Sequence, residues 1–162
     1  MIQQLPRLGA AVCCLFLALH LSLAAQERSD APLPTYTLGE SNVPAELRKM
    51  VDDFFAELAQ NKPAGAFDKL LTGSRILDDS SSVATLVRQS QRALSFYGPQ
   101  ERVEFISAEA VTPSFIRVRY LALHRVYPIK WVFTFYRSPA EGWIVALLRL
   151  DDKVESSFTD GW

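Results

Sequence analysis

Cysteine, histidine and glycine are scarce in this chain of 162 residues, and each scarcity closes a class of chemistry. There are two cysteines, two histidines and seven glycines. Cys13, Cys14 and His20 all fall within the first 25 residues, where Arg7 is the one charged side chain of fixed sign and every residue from Leu8 to Leu19 is apolar or glycine. Small-residue exits follow at Ser22-Leu23-Ala24 and Leu23-Ala24-Ala25. A basic start, a short apolar middle and a small-x-small exit read as a cleavable secretory signal over residues 1–25. The competing reading is an uncleaved anchor, for which the apolar stretch falls just short of the roughly 20 residues of a spanning helix. Cleavage leaves an exported chain, periplasmic or secreted from a bacterium, with no stable membrane insertion.

The exported part has no cysteine, hence no disulfide, no thiolate nucleophile and no cysteine metal ligand. With His124 as its one histidine it cannot build the usual zinc shell, and no acidic calcium-loop spacing occurs. No metal is expected. Glycine-rich phosphate loops are missing, and no cofactor is implied. Loss of Arg7 leaves 16 basic residues of the original 17 against 18 acidic ones, a charge near −2. A nucleic-acid binder shows a basic stripe, and none is present.

What remains is about 137 residues, the usual size of one domain. Residues 26–41, with Ala31-Pro32-Leu33-Pro34, read as an extended linker or arm to which Tyr36 and Leu38 lend some grip. A first helix follows, with Asn42 as cap, Pro44 in the first turn and Glu46 at the positive end of the dipole. Val43, Leu47, Met50, Val51, Phe54, Phe55 and Leu58 recur at helical spacing on one face. A second helix is predicted over 64–71. A third runs over 82–96, capped by Asp79 or Ser80, striped by Val83, Leu86, Val87 and Leu94, and closed by Tyr97-Gly98-Pro99. The period then changes to two. Strands are predicted over 102–107, 115–125, 129–137 and 143–150, with turns at Pro113, Pro128 and Gly142. Short connections imply antiparallel neighbours. Helices first and a meander second give an α+β domain over 42–152, with helices on one face of a curved four-stranded sheet. Residues 153–162 form a polar tail.

The stretch Pro128-Ile129-Lys130-Trp131-Val132-Phe133-Thr134-Phe135-Tyr136-Arg137, then Gly142-Trp143-Ile144-Val145 and Asp151-Asp152, resembles the NTF2-like (cystatin-like cone) superfamily, and within it exported bacterial members with an aromatic strand and a Gly-Trp ending. The resemblance covers about residues 43–152. It implies a sheet curled into a cone around the long helix, with a mouth for a small apolar ligand. Ile116, Val118, Tyr120, Trp131, Phe133 and Phe135 would then line that cone. Members range from small isomerases and dehydratases to plain binding domains, so the resemblance does not fix a function.

The strand alternation puts Ile116, Val118, Tyr120, Ala122 and His124 on the inward face. His124, with Tyr120, is the candidate for acid/base work, against the simpler role of a strand-end histidine bonded to backbone. No Asp or Glu falls on the apolar face, as a carboxylate base with a raised pKa would require. Asp78-Asp79 reads as a helix cap and Asp151-Asp152 as a solvated turn. Arg117, Arg119 and Lys130 fall on the opposite, outward face, as a partner or anion surface or a solvated one. Three functions follow. The first is a non-catalytic domain binding a small apolar ligand or a protein. The second is a cofactor-free isomerase or dehydratase using His124. The third is a homodimeric structural subunit pairing through the outer sheet face.

Overall fold

The computed structural model describes residues 33–154. In chain order these form β1 (Tyr36–Leu38), α1 (Ala45–Ala59), α2 (Pro63–Leu70), α3 (Ser80–Tyr97), β2 (Gln100–Thr112), β3 (Phe115–His124), β4 (Pro128–Ser138) and β5 (Gly142–Asp151). Short 3-10 segments precede α1 (Glu40–Asn42) and α3 (Arg75–Asp78). The signal over 1–25, the start of the arm and the tail beyond 154 lie outside the described residues.

Local chemistry accounts for the helix ends, with one departure from expectation. Asn42 does not cap α1: it ends a 3-10 turn, and Pro44 occupies the cap position with no side-chain bond. Val43 explains the shift, because it is buried in the core and carries the chain past Asn42 before the helix can start. At α3 the expected cap forms. The Asp79 carboxylate accepts from the backbone N–H groups of Ser81 and Ser82 at 3.0 and 3.2 Å, and from both serine hydroxyls at 2.7 and 2.6 Å. Those donors hold its pKa down to about 2. Gly98 ends α3 at φ +82°, where a Cβ would meet Arg125 Cβ at 3.1 Å.

The sheet has five strands rather than four, in the order β1-β2-β3-β4-β5, each antiparallel to its neighbours. The extra strand is the arm itself, which pairs Tyr36 with Ala110 and Leu38 with Ala108. Three residues are too few to show a period. Strand β2 also runs past its expected end, because register shifts at Gln100/Arg102, Phe105/Ser107 and Ala110/Thr112 interrupt its alternation.

Three helices pack on this sheet, and α1 supplies the main contact. Phe54 meets Trp131, Phe133, Phe67 and Phe55 with ring centroids 5.1 to 5.6 Å apart, all near edge-to-face. Phe55 adds Tyr120, Trp131 and Phe133. Along β4 the rings of Trp131, Phe133 and Phe135 stack in sequence, 6.1 Å apart. No cone forms and the sheet stays open. The volume expected to hold a ligand is filled by the rings of Phe54, Phe55 and Phe67.

Candidate functional site

Ile116, Val118, Tyr120, Trp131, Phe133 and Phe135 are all buried members of the core. They face the helices as the alternation predicts, but they pack against rings instead of bordering one of the main clefts. Burial pushes the Tyr120 hydroxyl up to about 12. His124 is half-buried, and its Nδ1 lies 2.8 Å from the carbonyl oxygen of Gly98. In the neutral tautomer with Nδ1 protonated, that nitrogen donates to the carbonyl. Tyr120 sits four strand positions away, roughly 13 Å at the usual rise. The two candidates for acid/base chemistry are therefore not brought together.

Arg117 and Arg119 do share the outer face, but they are paired there. Arg119 Nη2 and Arg117 Nη1 reach Glu109 Oε1 at 2.7 and 3.1 Å, and Arg119 Nη1 donates to Ser107 Oγ at 3.2 Å. The bulge in β2 sets Ser107 opposite Arg119 and Glu109 opposite Arg117. Lys130 departs from the expected exposed patch: it is fully buried. Strand β4 is the reason, since every residue from Ile129 to Phe135 is buried and neither face of this central stretch is open. Desolvation lowers the Lys130 pKa and Arg119 lowers it further, while Asp151, its neighbour in register on β5, opposes the shift.

The open space lies around α3. This helix rests on small residues, Ser90 and Ala93, and leaves Leu86, Val87 and Leu94 half-buried. A cleft of about 610 Å³ separates its C-terminal half from the ends of β4 and β5. Ala93, Phe96, Val126, Ile129 and Leu150 give it apolar walls, and Arg92, Tyr97, Asp151 and Asp152 supply its polar groups. Phe96 and Val126 are 65% and 71% exposed. The Arg92 guanidinium lies over the Phe96 ring, 5.2 Å from its centroid. The Tyr97 hydroxyl donates to Asp152 Oδ2 at 2.8 Å, which raises the phenol pKa, and its ring packs on Tyr127 at 5.6 Å. Such a volume suits a small molecule, for which pockets of about 300–1,000 Å³ are usual. Among the described residues no three of His, Cys, Asp and Glu converge as a metal shell would require.

Sequence reasoning did not find this cleft, although one signal was present. Phe96 lies on the side of α3 opposite the stripe of Val83, Leu86, Val87 and Leu94, so a large ring is left off the core face. Comparison with known proteins adds no name: no family model, no curated protein and no solved structure matches this chain significantly.

Proposed function

We propose that the chain is an exported, non-catalytic binding domain, an open-sheeted variant of the NTF2-like design, that takes a small ligand with an apolar body in the cleft beside α3. The observation that carries this reading is the cleft itself: apolar walls from three elements, two exposed hydrophobic side chains at its rim, and a few polar groups to orient an occupant. The closely packed aromatic core supports putting the ligand on this flank rather than in the sheet interior.

The isomerase or dehydratase reading draws less support. His124 is engaged by a backbone carbonyl, and Tyr120, whose hydroxyl feels the charges of Asp52 and Glu40, is remote from it. Pairing through the outer sheet face is also weakened, because Arg117 and Arg119 share Glu109 and Lys130 is buried.

Titration with anilinonaphthalene sulfonate, an amphipathic fluorophore, tests the proposal. Saturable binding of one dye per chain is expected, with affinity falling at least about tenfold in Phe96→Ser and in Val126→Ser. Both side chains are largely exposed, so the fold tolerates the changes. Non-saturating binding, or binding indifferent to both substitutions, refutes the site.

A further inference from the structure

Strand β5 is the last of the sheet. Nine of its ten residues pair with β4 on one side, and the strand has no strand partner on the other among the described residues. Backbone N–H and C=O groups are obligatory hydrogen-bonding groups, and a bare edge is a template for another strand. The N-terminal half of this edge is already engaged. Ser74 Oγ donates to the Val145 carbonyl at 2.6 Å, the 3-10 segment before α3 packs beside it, and Ala146 is extruded by the register shift opposite Thr134/Phe135. Among the described residues, Leu147 to Asp151 make no backbone hydrogen bond outside the sheet.

We propose that two copies of the chain pair antiparallel through this stretch, continuing the five-stranded sheet into a ten-stranded one. Charge complementarity selects both the partner and the register. Arg149 and Asp151 alternate on the outer face of β5, and Arg149 is exposed with no ion pair among the described residues. A two-fold centred on Arg149 would set that residue against itself, and one centred on Asp151 would set carboxylate against carboxylate. A centre at Leu148 would place Asp151 opposite Val145, whose carbonyl is taken. A centre at Leu150 puts Arg149 of each copy opposite Asp151 of the other, twice over. Directly opposed residues of an antiparallel pair lie about 4.5–5.5 Å apart at Cβ, and opposite charges there are favourable while like charges are not. The contact is isologous, as a closed dimer requires. In this register only Arg149 to Asp151 of the two strands oppose one another, because Leu147 and Leu148 face residues 153 and 152 beyond the strand end. So short an overlap buries less than the roughly 1,200 Å² of a standard interface, and the dimer is a weak one.

Sedimentation of the full exported chain across about 10–500 µM tests this, the range a small interface demands. A reversible monomer–dimer equilibrium is expected. Arg149→Asp should raise its dissociation constant at least about tenfold, while Arg149→Lys retains it. Mixing Arg149→Asp with Asp151→Arg should restore a heterodimer, since each cross-pair then regains opposite charges. Asp151→Arg places a cation beside Lys130 and its folding must be checked by circular dichroism. Amide exchange of the unaltered protein gives an independent reading: protection over Arg149–Asp151 should rise with concentration. A monomer throughout the range overturns the proposal and points instead to an extended peptide from another protein as the occupant of the edge. A dimer indifferent to Arg149→Asp, or one with no added protection over 149–151, also overturns it. None of these results depends on the α3 cleft binding a ligand.

Discussion

Replacing Phe54 with alanine removes the ring through which α1, α2 and β4 meet. The side chain is 1% exposed and touches four other rings. Deleting a phenyl group opens on the order of 100 Å³, and at about 24 cal/mol per Å³ the cavity alone costs roughly 2.4 kcal/mol. The lost transfer of the ring adds about 2 kcal/mol, so the total lies near 4 kcal/mol, inside the usual 3–5 kcal/mol for such a change. Collapse of the site is limited, because the neighbours Trp131 and Phe133 are fixed on a central strand and stack on each other. Against a total stability of about 5–15 kcal/mol this is a large fraction. For a domain of this size each kcal/mol moves the midpoint by about 3–5 °C, so Tm should fall by about 12–20 °C. Phe96→Ala is the internal control: that ring is 65% exposed and its loss should cost within about 0.5 kcal/mol. Urea and thermal unfolding followed by circular dichroism measure both. If Phe54→Ala costs under about 1 kcal/mol, or no more than Phe96→Ala, helices and sheet do not share one aromatic core.

Two further outcomes follow from single side chains. Trp131 Nε1 is buried with no acceptor among the described residues. An unpaired buried donor is costly, so Trp131→Phe should lose under about 1.5 kcal/mol while Trp131→Ala loses about 3–5; equal losses in denaturant titrations would mean that the indole N–H is not a burden. The depressed pKa of Asp79 gives a pH signature. Its cap stabilises the folded chain fully above the unfolded value near 3.8, and the benefit is lost as pH falls through about 2. The stability gap between the unaltered protein and Asp79→Ala should therefore be flat above about pH 4 and shrink toward pH 2; a gap that widens with acid contradicts the capping role.

The resemblance to the NTF2-like group led to a cone because it supplied a shape, whereas the side chains decided the volume. Phe54, Phe55 and Phe67 were visible as apolar stripes, but a stripe carries no information on how far its rings reach. The same limit applies to Lys130. Alternation puts it on the face opposite Trp131, but alternation says which face a residue takes and not whether that face is open. The pairing of Arg117 and Arg119 with Glu109 needed the β2–β3 register, which bulges alter one residue at a time.

By itself the sequence determined the order of helices and strands, the inward set of aromatic residues, the Asp79 cap and the turns, because each depends on residues within a few positions of one another. Tertiary structure alone decided that the arm joins the sheet as a fifth strand, that the core is solid, and that the open cleft lies beside α3. Those outcomes depend on which surfaces meet, and pairing between distant segments is set by packing and register that no local pattern encodes.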